Sequence, residues 1–266
     1  MRTYWFLLPT LLLLWLAGCG PGGDPNRPKV AIETTEGEIV IELFNETPLH
    51  RDNFLALTRQ GYWAEKPFHL VLADALIQAG GPPLESDTTF MAETVPNELS
   101  DSLYHTPGLV GAPRAPDKRN PRRRSARAQF YIVTGGEGYD KLELNQMEGA
   151  IRKAQADFDP TRYALETENE WLLNDSLMAQ ADTSRLDSLR RDMMARTQAR
   201  GPYNWPDSVE HIYRNKGGAP FLDGQYTLFG RVVQGFGIAQ RIASYSKPGS
   251  EAPTKEVRIL SARVLE

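Results

Sequence analysis

FHLVLADALIQAGG, from Phe68 to Gly81, is the stretch on which the reading of this chain turns. It sets a histidine and a glutamine inside an apolar run that closes on two glycines. Phe68 to Gln78 has strand chemistry, with aromatic, β-branched and other apolar side chains. Gly80 and Gly81 read as turn glycines, because no phosphate-loop spacing surrounds them. By themselves, His69 would be a satisfied structural histidine and Leu70 a core residue. Their meaning depends on what stands around them.

Upstream, VAIETTEGEIVIEL (Val30 to Leu43) is two short β-rich runs about Glu36-Gly37, a hairpin signature. TPLHRDNFLALTRQGYW then reads as a helix, with Thr47 to cap it, Pro48 in its first turn, Gly61 at its exit, and Phe54 and Leu57 on one face. Downstream, AQFYIVT (Ala128 to Thr134) and Tyr226 to Val233 are strands. Gly235 to Ser246 is a short helix with Ile238 and Ile242 on one face. Val257 to Val264 is a closing strand whose apolar residues change face near Leu260, which predicts a bulge. Short strands, two isolated helices and Gly-rich turns imply a mainly β fold, a closed antiparallel barrel. Residues 136–218 interrupt it as an α-helical insertion of about three helices. There Leu186, Leu189 and Met193 form an amphipathic stripe and Thr183 is a cap; such a stripe is commonly packing surface.

The chain has 266 residues, 41% hydrophobic and 24% charged, with a net charge of −4. These are values of a soluble globular protein with no global field to draw nucleic acid. Positive charge is gathered in RAPDKRNPRRRSAR, Arg114 to Arg127, which reads as a solvated loop or as a surface for acidic peptides or anionic head groups. The N-terminus is a targeting segment: Arg2, then the apolar run Trp5 to Ala17, too short for the ~20 residues of a membrane span. Leu16-Ala17-Gly18-Cys19 resembles the lipobox of bacterial lipoproteins, with residues 1–18 as signal peptide and 19–28 as a flexible tether. Cys19 is the single cysteine, so no intramolecular disulfide can form. Lipid on Cys19 would anchor the protein to a membrane, each buried methylene adding about 0.8 kcal/mol. Pro21 stands where an aspartate would mark inner-membrane retention. The expected location is thus the outer membrane of a Gram-negative-type cell envelope, facing the periplasm.

Seven pieces occur in order: IETTEGEIVIELF, TPLHRDNFLALTRQGYW, FHLVLADALIQAGG, HTPGLVGAPR, AQFYIVTG, FLDGQYTLFGRVVQG and PTKEVRILSARV. Together they resemble the cyclophilin family of peptidyl-prolyl isomerases over residues 29–135 and 219–266. The resemblance implies an eight-stranded closed barrel with two capping helices and an activity that turns X-Pro bonds. Neither cofactor nor metal is implied, and the partners would be proline-containing polypeptides of exported proteins. Amide resonance sets the rotation barrier at ~18–20 kcal/mol. In the family an apolar pocket holds the proline ring while an arginine favours the twisted amide.

Carried over by position, His69, Gln78 and Gln129 stand for the site histidine and two glutamines. Tyr131, Phe221, Leu222 and Tyr226 line the pocket, Ala75 and Leu76 replace its bulkier floor, and Pro113 and Arg114 fall where the peptide backbone is gripped. Leu70 occupies the place of the catalytic arginine and cannot donate a hydrogen bond. Loss of one preorganised donor is worth roughly 10²–10³-fold in rate, about 3–4 kcal/mol. Arg127, two residues from Gln129, or else Arg114, could supply the donor. The alternative is a non-catalytic module that binds proline-containing segments or acts as a chaperone. The insertion reads either as packing decoration or as a lid or client-binding arm. His50, His105 and His211 are scattered and show no ligand spacing.

Overall fold

The computed structural model describes residues 26–81, 94–117, 120, 122–156 and 203–265. The signal segment, Cys19, Leu186, Leu189, Met193 and Thr183 lie outside the described residues. The strands are β1 (Lys29–Thr34), β2 (Gly37–Leu43), β3 (Phe68–Leu72), β4 (Leu76–Gly80) and β5 (Thr94–Val95). They continue as β6 (Leu109–Gly111), β7 (Ser125–Ala126), β8 (Gln129–Val133), β9 (Leu228–Gln234) and β10 (Ile259–Leu265). Eight of them form one sheet in the order β10-β1-β2-β9-β6-β8-β4-β3, while β5 and β7 form a separate ribbon.

The predicted hairpin is β1–β2. Thr34 Oγ1 donates to the Gly37 carbonyl at 2.7 Å and accepts from Glu36 N at 3.1 Å, which closes the turn. Inward residues of alternate register (Val30, Ile32, Ile39 and Ile41) meet Phe130 and Ile132 of β8 in the main core. Two helices, α1 (Pro48–Arg59) and α4 (Phe236–Ala243), contribute Phe54, Leu55, Leu57, Ala239 and Ile242 to that core. Phe54 stacks obliquely on Trp63 at 4.9 Å and meets Phe130 edge-on at 5.4 Å.

Several expectations change here. The sheet is a curled half-barrel and not a closed barrel. Its edge strands β3 and β10 share only the Pro67–Arg258 bridge and flanking bonds such as Phe68 N to Val257 O, 2.9 Å. The loop before β10 covers the β3 edge instead, with Glu251 O accepting from Val71 N at 2.7 Å. Thr47 sits at the start of α1, but its hydroxyl makes no cap bond. Glu98 does that work from a distant loop, accepting from Leu49 N and His50 N at 3.0 Å each. β9 and β10 begin two residues later than predicted, at Leu228 and Ile259. The bulge at Leu260 is present: Thr34 pairs with Ile259 and Glu33 with Ser261.

Within residues 136–218, which the sequence reads as an insertion, two helices are described, α2 (Lys141–Ala156) and α3 (Asp207–Lys216). Asp140 and Glu143 cap α2 reciprocally, each backbone N–H donating to the other's carboxylate at 2.8 Å. Leu144 and Ile151 of α2 pack with Trp205, Val209 and Tyr213 in a small core of their own. Among the described residues no helix is long and apolar enough to cross a membrane.

Candidate active site

The site lies on the outer face of the sheet, opposite the main core. Strand alternation puts Ile77 and Ala79 of β4 and Phe130 and Ile132 of β8 inward. Leu76, Gln78, Gln129, Tyr131 and Val133 therefore point outward. On β3 the alternation is broken by a bulge: Phe68 pairs with Ala79 and Leu70 with Gln78, leaving His69 as the extra residue. Phe68 and Val71 both reach the core, so His69 and Leu70 together turn to the outer face.

There the three residues carried over from the sequence meet. Gln78 Nε2 lies 3.2 Å from His69 Nε2 and donates to Gln129 Oε1 at 3.2 Å. Gln129 Nε2 in turn donates to the Gly81 carbonyl at 2.7 Å. With both Gln78 N–H groups used, the His69 Nε2 lone pair is the acceptor, and Gln78 Oε1 faces no donor among the described residues. Burial holds the His69 pKa below its ordinary 6.5, opposed by a hydrogen bond to the Pro67 backbone, so the ring is neutral at pH 7.

Beside this row is an apolar cluster, the proposed notch, in which Leu70, Phe221, Leu222 and Tyr226 are partly exposed over buried Ala75, Leu76 and Tyr131. Leu70, Ala75, Leu76 and Tyr131 from one half of the chain cluster with Phe221, Leu222 and Tyr226 from the other. The short turn Pro220–Leu222 presents Phe221 and Leu222, and its Ala219 N–H is held by the His105 carbonyl at 2.9 Å. Arg114 forms the far rim. Its guanidinium lies 4.6 Å from the centre of the Tyr226 ring, and its Nε donates to the Gln225 carbonyl at 2.9 Å. Nη1 bonds the Ala115 carbonyl and Asp117. The Pro113 carbonyl is taken by Ala126 N at 2.7 Å, so it braces β7.

Arg127 is not brought to the notch. It lies in the turn between β7 and β8, where strand alternation does not hold, and its Nε donates to Asn53 Oδ1 of α1 at 3.0 Å. Asn53 Nδ2 returns a bond to the Arg127 carbonyl at 2.9 Å. The basic run is likewise no simple solvated loop, since Arg123 and Arg124 are both 2% exposed. Arg124 Nε donates to Thr94 Oγ1 at 2.8 Å, and Arg123 bridges Asp117 and the Ala154 carbonyl of α2. Their charge is spent inside the fold.

Sequence reasoning missed a buried polar row beneath the notch, formed by Tyr131, His105 and Asp223 with Trp205 and Tyr213. In the sequence His105 reads as one of the scattered histidines. The signal in the sequence is Tyr131 itself, whose hydroxyl must find a partner once it is buried in a strand. Among the described residues no cluster of three or more His, Cys, Asp or Glu could hold a metal ion.

Comparison with known proteins gives one consistent answer. The family described as cyclophilin type peptidyl-prolyl cis-trans isomerase matches residues 29–151 and 194–264. A protein of Staphylococcus haemolyticus, provisionally assigned as a peptidyl-prolyl cis-trans isomerase, is 21% identical over 242 residues, covering 90% of this chain and 92% of its own. A Streptococcus pyogenes protein, provisionally a bifunctional phosphatase and peptidyl-prolyl cis-trans isomerase, is 24% identical over 245 residues. That match covers 90% of this chain, which spans only 39% of the streptococcal protein. In structure, a Cryptosporidium parvum cyclophilin type isomerase, crystallised in the presence of the dipeptide Ala-Pro, superposes with a TM-score of 0.50 at 18% identity. It covers 90% of this chain and 99% of its own, a likeness of fold.

Proposed function

The chain belongs to the cyclophilin-type peptidyl-prolyl cis-trans isomerase family, and from that premise we propose that it turns X-Pro bonds of exported polypeptides at a reduced rate. One observation carries the reading: a partly exposed apolar cluster built from two distant segments lies beside the His69–Gln78–Gln129 row. The prolyl ring seats among Leu70, Leu76, Tyr131, Phe221 and Leu222. The peptide backbone on its flank meets Gln78 Oε1 and the remaining N–H of Gln129. The reaction needs no covalent step. What lowers its ~18–20 kcal/mol barrier is preferential binding of the twisted amide, whose nitrogen has become more basic.

Leu70 supplies shape and no donor, which supports a rate lower by roughly 10²–10³-fold than that of a site with an arginine there. Arg114 is the cation best placed to compensate, across the notch and next to Tyr226. Arg127 has no such role, being tied to α1. Lipid on Cys19, followed by the tether of residues 19–28, would hold the domain at the envelope face where exported chains fold. The test is exchange spectroscopy on an Ala-Ala-Pro-Phe peptide. Catalytic amounts of the protein should raise the cis–trans exchange rate above the uncatalysed one; no increase at any accessible concentration overturns isomerisation.

A further inference from the structure

Under the notch floor, the insertion and the sheet are joined by a continuous buried hydrogen-bonded row. The buried Tyr131 ring underlies the notch and its hydroxyl lies 2.8 Å from His105 Nε2. His105 Nδ1 lies 2.6 Å from Asp223 Oδ1, which also accepts from the His105 backbone N–H at 2.7 Å. Asp223 Oδ2 accepts from Trp205 Nε1 at 2.8 Å and from the Tyr213 hydroxyl at 2.6 Å. We infer that Trp205 and Tyr213, both contributed by the insertion, are positioning residues for the notch, acting through Asp223 and His105 to fix the height of the Tyr131 ring. This rests on reading the notch as the prolyl site.

The direction of each bond follows from what each group can give. A carboxylate only accepts, so His105 presents Nδ1–H to Asp223, and in the singly protonated ring Nε2 is left to accept the Tyr131 O–H. Asp223 is fully buried and is tolerable there only because four donors meet it, two of them from the insertion. Removing an insertion donor leaves the carboxylate short of a partner and free to turn, and His105 and Tyr131 turn with it.

The Tyr131 ring uses the space that the missing side chain of Gly111 leaves. It lies where a side chain on Gly111 would be, with its Cζ and hydroxyl oxygen each 2.3 Å from that Cβ position. The bond of its hydroxyl to His105 fixes where in that space the ring rests. The insertion braces the opposite wall as well. A Cβ on Gly224 would be 3.2 Å from Gln155 Nε2 of α2, with Ile151 and Tyr203 just beyond. At the root of the insertion, Tyr139 hydroxyl donates to the Gly218 carbonyl at 3.0 Å and Tyr139 N to the Tyr213 carbonyl at 3.1 Å. That root is stitched to the floor it supports.

Tyr213→Phe keeps the ring in its core and removes one donor to Asp223. With Ala-Ala-Pro-Phe as probe, its Kd and KM should rise about three- to tenfold, the scale of one lost hydrogen bond, with kcat held. Made in a Tyr131→Phe background, where the row is already cut, the same substitution should move Kd by less than about twofold. Trp205→Phe repeats the test from the second donor, so that a poorly folding variant does not leave the matter open. A fall in thermal stability with Kd unchanged in wild-type background, or equal effects with and without the Tyr131 hydroxyl, overturns the inference alone. Wild-type protein that binds no proline peptide overturns the reading of the notch and this inference with it.

Discussion

Leu70 and Gln78 face each other across β3 and β4, one apolar and one polar, at the edge where a substrate amide would lie. His69, Gln78 and Gln129 could be placed from sequence because strand alternation and the motif order agree. Arg127 could not, because the turn before β8 ends the alternation on which its placement depended. His105 escaped notice because its partner Asp223 is 118 residues away, a contact no local pattern signals. Two predictions belong at this scale. Arg114→Ala should lower turnover threefold or more, about the worth of one charge-assisted contact, whereas Arg127→Ala leaves it unchanged; parallel exchange assays decide. For His69, burial puts the folded pKa below the 6.5 of the exposed ring. Between those two values the unfolded chain holds the proton and the folded one does not. The stabilisation is thus complete above pH 6.5 and is lost as pH falls through the folded pKa. Chemical denaturation on both sides of pH 6.5 should show this loss in wild type and less of it in His69→Gln.

At the scale of elements, hairpin β1–β2, helices α1 and α4 and the Leu260 bulge were all legible, since turn residues, periodicity and face changes are local. What joins elements was not. Glu98 caps α1 from 49 residues away and also lies 2.7 Å from His50 Nδ1, while its own N–H donates to Thr227 Oγ1 of the notch wall's strand approach. Thr47, the residue that local rules nominate, stays idle. Glu98→Ala should therefore destabilise the fold by about 1–2 kcal/mol, the cost of a lost cap, and Thr47→Ala by much less; paired denaturation curves test it. The basic run taught the same lesson in charge: Arg123 and Arg124 read as surface in sequence and are interior in the fold because Asp117, Thr94 and α2 meet them.

For the whole molecule, helices within residues 136–218 root beneath the notch of a mainly β domain, and the inferred tie through Asp223 would make them and the site one mechanical unit. The sheet stops short of a closed barrel because a loop, not a strand, covers β3. Neither feature has a sequence signature, since both depend on chain segments far apart. The proposed lipid tether makes its own prediction: Cys19→Ser should move the protein from the detergent phase to the aqueous phase in a partition assay without altering turnover.

The central claim is a prolyl notch complete except for its donor at position 70. Exchange spectroscopy of one proline peptide with wild-type protein and Leu70→Arg side by side tests it directly. The account predicts weak catalysis by the wild type and a gain of about 10²-fold in the variant. Peptide that neither binds nor exchanges faster with either protein would contradict it.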